Sequence, residues 1–137
     1  MGDERGPLGP GATVMAPTSV DPAHPPHNIL DSDDRYFWMT TGLFPQEVVI
    51  SLDGATSLDR ISLRTTNVQK VAFLASTESS TPTEWETIAE ASLADADGRI
   101  QMETISVERA PHETRHIKLQ ILKGWDDFCA VHSLEIN

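Results

Sequence analysis

The chain has 137 residues, 39% of them hydrophobic, which suits one domain that buries its own core and is short for two. Asp and Glu number 21 against 10 Lys and Arg; the resulting net charge of -11 repels nucleic-acid phosphates and anionic lipid, and so excludes both as direct partners. The lone cysteine, Cys129, excludes an intrachain disulfide and fits a reducing compartment.

Residues 1–11 hold four Gly and two Pro and read as a loose arm, with the ordered domain expected over 12–137. The N-terminus lacks the apolar core of a secretory signal, and Gly6 stands where a myristoylation pattern wants Ser or Thr. No stretch approaches the about 18 apolar residues of a membrane span, so no membrane insertion is expected.

From Ala12 onward the hydrophobic period is two. Strands are expected at Ala12–Ala16, Glu47–Leu52, Arg60–Arg64 and Lys70–Ser76, then at Trp85–Ala91, Ile100–Val107, Thr114–Lys123 and Phe128–Ile136. In the clearest of them Ile117, Leu119 and Ile121 share one face, and His116, Lys118 and Gln120 the other. A helix over Glu84–Ala94, rich in Ala, competes with the Trp85 strand. Asp53-Gly54 and Asp97-Gly98 predict tight reversals, and Pro82, Pro111 and Gly124 punctuate the remainder. Short strands at this spacing predict an all-β fold, an antiparallel two-sheet β-sandwich of jelly-roll type. Cys129, between Phe128 and Ala130, is expected to be a buried, inert thiol.

The most informative segment is His24 to Trp38. Pro25-Pro26 predicts a rigid, extended lead-in. Asp31, Asp33 and Asp34 then crowd three carboxylates into four residues, a repulsion that a hard, oxygen-seeking cation such as Ca²⁺ would relieve; a solvated acidic turn is the plain alternative. The loop is not an EF-hand, because counting from Asp31 the sixth position is Tyr36 and the twelfth Gly42. Trp38 is expected to pack in the core or under a loop, and Trp85 and Trp125 likewise. Phe44, beside Pro45, reads equally as a core residue or an exposed interface anchor.

The residues Asn28-Ile-Leu-Asp31-Ser-Asp33-Asp34-Arg-Tyr36-Phe-Trp38, with His24-Pro25-Pro26, Thr40-Thr41-Gly42-Leu43-Phe44-Pro45-Gln46-Glu47 and Ala130-Val131-His132-Ser133, resemble the galactose-binding-like (discoidin, F5/8 type C) jelly rolls, and among them a family of small intraflagellar transport subunits. The resemblance covers about residues 12–137. It implies a non-enzymatic subunit of the ciliary transport train, in cilium and cytoplasm. The implied partner is a Rab-like small GTPase, intraflagellar transport protein twenty-seven, and through it the peripheral subcomplex; the strands that form the interface are not specified. It also implies a structural calcium ion. Asn28 and Tyr36 would give backbone carbonyls, Asp31 and Asp33 side-chain oxygens, and Glu135, preferred over Ser133, a last-strand oxygen. Two residues depart from the family pattern: Tyr36 stands where Thr or Ser is usual, which removes a side-chain ligand, and Ser32 replaces the usual Gly.

No P-loop, dinucleotide fingerprint, G-x-S-x-G or H-E-x-x-H occurs, so no catalytic residues are assigned. The pair His24/His27 lacks the third ligand a zinc site needs, and His112 and His116, four apart on an expected strand, share a face only loosely. The alternative reading is a carbohydrate-binding module, which the same fold permits.

Overall fold

The computed structural model describes residues 12–15, 17–19, 21–30, 35–41, 43–107 and 113–136. The arm over residues 1–11, the carboxylates of Asp31, Asp33 and Asp34, and Pro111 and His112 therefore lie outside the described residues. The strands among the described residues are β1 (Thr13–Met15), β2 (Trp38–Met39), β3 (Gln46–Thr56), β4 (Arg60–Thr66), β5 (Val68–Ser76), β6 (Glu86–Ser92), β7 (Gln101–Ser106), β8 (Thr114–Gly124) and β9 (Ala130–Ile136). They form two antiparallel sheets, one ordered β1-β3-β8-β5-β6 and the other β2-β9-β4-β7. This is the all-β sandwich that the period-two pattern predicts.

Strand β8 shows how the alternation becomes a core. Ile117, Leu119 and Ile121 are fully buried; opposite them lie Ile50 and Val48 of β3, and Ala75, Phe73 and Val71 of β5. Ile61 and Leu63 of β4 and Val131 and Leu134 of β9 close the other side of the same cluster. Each large side chain so buried contributes about 1.5–3 kcal/mol, most of it offset by the entropy of ordering the chain.

Two local expectations change, the strand expected at Trp85–Ala91 prevails over the competing helix, and one short strand is added. Pro25-Pro26 does not lead into an extended segment, because Pro26–Leu30 is a 3-10 helix. The fixed φ of Pro26 suits the first turn of a helix as well as an extended chain, and buried Ile29 holds the turn against the sandwich. Asp53-Gly54 is not a reversal; it lies within β3, where pairing shifts from Ser51↔His116 to Thr56↔Thr114. The extra residues bulge out of the ladder, and the strand continues. The Ala-rich run at Glu84–Ala94 is strand β6, not helix: Ile88 packs inward, and pairing with β5 overrides helix propensity. Strand β2, only Trp38–Met39, was not anticipated; it pairs with Val131 and Ala130 of β9. Asp97-Gly98 does turn as expected, with φ of 55° and 81°, and carries the chain from β6 in one sheet to β7 in the other.

One buried polar side chain ties the loops at one end of the sandwich. Gln101, 7% exposed, accepts from Thr65 Oγ1 at 2.8 Å and Val68 N at 3.0 Å. Its Nε2 donates to Val68 O and Ala94 O, both at 2.8 Å. All four hydrogen-bonding positions of the amide used here are thereby satisfied.

Candidate functional site

The 3-10 helix packs on β1, β2 and β9. Asn28 N donates to Pro25 O at 3.1 Å, and Asn28 Nδ2 donates to Phe37 O at 3.0 Å. That second bond spans the acidic loop and ties its two ends together. Phe37 is further held by His24, stacked on it at 4.1 Å and 13°, and by His132 of β9, tilted at 5.1 Å. Next to it, Trp38 is fully buried, with Nε1 donating to Ser19 O at 3.1 Å. Both flanks of the loop are therefore fastened to the sandwich.

Of the five sequence-assigned ligands, Asn28 and Tyr36 flank this loop, with the Tyr36 side chain 48% exposed near the Arg35 guanidinium. Asp31 and Asp33 lie outside the described residues. Glu135 is exposed on β9 opposite Ser62 of β4. It lines a shallow cavity of about 230 Å³ with Arg64, Met102, Thr104 and Ser133, toward β4 and β7, whereas β2 flanks the other edge of β9. Ser133, the other last-strand candidate, is buried. Among the described residues no three of His, Cys, Asp and Glu come together as a metal cluster.

Three of the four described histidines make structural contacts. His24 stacks on Phe37, and His27 is exposed. His132 Nε2 lies 2.8 Å from Thr66 Oγ1, and His116 Nδ1 lies 2.9 Å from Ser51 Oγ. Cys129 is buried as expected and donates to Asn67 O at 3.1 Å. Desolvation, with the Asp126 carboxylate nearby, pushes its thiol up to about 12. A second ordered feature went unread in the sequence. The Glu78 carboxylate accepts from Thr83 N at 2.6 Å, Glu84 N at 2.9 Å, Thr83 Oγ1 at 3.0 Å and Ser76 Oγ at 3.3 Å. The backbone amides of Glu84 and Thr83 hold its carboxyl below the usual carboxylate range.

The aromatic candidates divide. Phe44 packs against the core and is not the exposed anchor; its neighbour Leu43 is 84% exposed. Trp85 is half-buried over the Lys118 ammonium, 4.6 Å from the ring centroid. Trp125 packs a loop rather than the core, with Nε1 donating to Leu93 O at 2.9 Å while 44% of it stays exposed. Sequence reasoning missed Leu43 and Phe128 as surface features, because a single exposed apolar residue in a loop has no periodicity.

A family model described as the F5/8 type C domain matches residues 13–134. With the two antiparallel sheets, this defines the class: a galactose-binding-like β-sandwich. A Clostridium perfringens CBM32 module solved in complex with GalNAc-beta-1,3-galactose superposes with a TM-score of 0.78 at 18% identity, over 97% of this chain and 99% of that one. The human protein named Intraflagellar transport protein 25 homolog is 33% identical over 124 residues, 90% of this chain and 84% of its own length. The Chlamydomonas reinhardtii Intraflagellar transport protein 25 is 33% identical over 126 residues, which is 92% of this chain but 64% of the algal protein. The chain thus spans just under two thirds of that algal relative. It belongs to the F5/8 type C domain family and, within it, to the intraflagellar transport protein 25 family.

Proposed function

We propose that the chain is a non-enzymatic assembly subunit of intraflagellar transport, acting in the cilium or flagellum and the surrounding cytoplasm, and that it pairs with a Rab-like small GTPase, intraflagellar transport protein twenty-seven. The observation that carries this reading is the 33% identity to the human relative across 90% of the chain, beside the two-sheet sandwich that the described residues form. The acidity of the chain supports docking on a protein surface over nucleic acid or anionic lipid. The test is co-expression with the Rab-like GTPase of the same organism, followed by size-exclusion chromatography. A one-to-one complex is expected; two separate peaks would remove the reading. The sugar-binding alternative rests on likeness of fold alone, at 18% identity. Retention on galactose resin by a chain that ignores the GTPase would establish it instead.

The calcium ion belongs to the same proposal. Oxygen-only donors at Asn28, Asp31, Asp33 and Tyr36 suit a hard cation, and the Asn28–Phe37 bond keeps the loop ends in place for it. Glu135 faces the other edge of β9, which makes it the weakest member of the set. Bound there, the ion would clamp the loop to the sandwich. Added Ca²⁺ is expected to raise the thermal midpoint, and Asp31→Ala to abolish that rise. Absence of any Ca²⁺-dependent shift in the unsubstituted protein removes the site.

A further inference from the structure

The end of the sandwich where β8 passes into β9 carries two loops that are fastened to each other. Thr40 N donates to Cys129 O, and Cys129 N donates to Thr40 Oγ1, both at 3.0 Å. Gly124 is packed so closely that a Cβ there would lie 2.5 Å from the Phe44 ring and 2.7 Å from the Cys129 sulfur. From this joined base the side chains of Leu43 (84% exposed) and Phe128 (54%) stand out in solvent, and the Trp125 indole, bonded to Leu93 O, keeps 44% of its surface exposed. They are half of the large exposed apolar side chains among the described residues, the others being Tyr36, Ile100 and Met102.

Fraying does not account for this exposure. Buried Gln46 donates from Nε2 to Leu43 O at 2.6 Å, while its Oε1 accepts from the Thr18 and Ser19 hydroxyls, each at 2.6 Å. On the second loop, Asn67 O accepts from Trp125 N at 2.8 Å and from the Cys129 thiol at 3.1 Å. The backbone that displays these residues is therefore fixed by bonds to the interior. Apolar side chains held out by a rigid base are pre-paid in ordering entropy, which is the condition under which they serve as binding anchors.

We propose that this rim is a protein-docking surface, and that its occupant is a partner face presenting an apolar ridge edged with lysine or arginine. The inference rests on the reading above that the chain works by pairing with another protein. Charge selects the occupant. Asp126 and Asp127, both exposed, stand between Trp125 and Phe128 in the chain. An anionic membrane would meet those two carboxylates and a chain of net charge -11. A second copy would bring the same carboxylates against them across a two-fold axis. A basic-edged partner gains from both features.

The test measures affinity for the purified Rab-like GTPase, using Leu43→Asp and Phe128→Asp, with Leu43→Ala and Phe128→Ala as milder versions. Trp125 is left unchanged because its indole also anchors the loop through Leu93. Met102→Asp, on an exposed site of β7, is the control. The Asp variants are expected to weaken pairing at least about thirtyfold with an unchanged thermal midpoint, and Met102→Asp to leave it as it is. Unaltered affinity in both rim variants, or loss only in Met102→Asp, overturns the rim while the pairing stands. No complex with the unsubstituted chain overturns the pairing itself, and the rim with it.

Discussion

Replacing Gln101 by Leu keeps the size of the side chain and removes every hydrogen bond it makes. Four groups lose their partner: Thr65 Oγ1, Val68 N, Val68 O and Ala94 O. The Thr65 hydroxyl can rotate, and Ala94 lies near enough to the surface for water to reach its carbonyl. Val68 is fully buried, so its two backbone groups dominate the cost. An unsatisfied buried group costs about 1–3 kcal/mol, and the added apolar burial returns about 1 kcal/mol. The expected loss is about 1–5 kcal/mol, a large part of the about 5–15 kcal/mol available to a domain. Urea unfolding followed by Trp fluorescence measures it, as a fall in midpoint at constant slope. A loss under about 0.5 kcal/mol at unchanged slope would refute the claim that this amide holds the end of the sandwich together. Gln101→Glu adds a sign test. Its carboxylate would face the Val68 and Ala94 carbonyls, so its folded pKa would be raised. Its stability should therefore be greater at about pH 5 than at about pH 8, lost as pH rises through the folded pKa, with no such dependence in the Leu variant.

Further outcomes follow from the surroundings of three residues, Cys129, Glu78 and Gly124. Cys129, with its thiol pushed up to about 12, should resist a water-soluble thiol reagent at neutral pH until the chain is unfolded in denaturant. Because its folded pKa lies above the model-compound value of 9.0, its contribution is complete below that value and is lost as pH rises from 9.0 toward about 12; Cys129→Ser should flatten that alkaline limb in a pH series of unfolding midpoints. The Glu78 carboxylate is held below its ordinary range, so the order it gives the 77–85 loop is present above that range and lost as pH falls through the lowered value. Glu78→Gln should raise hydrogen exchange at the Thr83 and Glu84 amides, and equal exchange in both proteins would argue against the carboxylate as the anchor. Gly124→Ala would drive a methyl into the Phe44 ring and the Cys129 sulfur, and is expected to cost about 1–3 kcal/mol, read as a lowered thermal midpoint.

Much of the sandwich was legible because burial imposes a period that the sequence must keep. Ile117, Leu119 and Ile121 could be assigned to one face from alternation alone, and all three are fully buried. The short β2 has no such period. Its two residues become a strand only because β9 offers Val131 and Ala130 as partners. Pro26 and Asp53-Gly54 failed as signals for a related reason. Each residue type permits two conformations, and a distant contact made the choice: Ile29 against the core in one case, the β3–β8 ladder in the other.

The candidate site divides along the same line. Sequence by itself determined the run of carboxylates at Asp31, Asp33 and Asp34, the absence of catalytic motifs, the buried thiol and the class of fold, since these depend on residue type and spacing along the chain. Tertiary structure alone decided that Asn28 reaches across to Phe37, that Glu135 faces β4 and β7, and that Phe44 turns inward while Leu43 and Phe128 stand out. Those facts depend on which remote strands and loops meet, and a pattern confined to neighbouring residues does not encode that meeting.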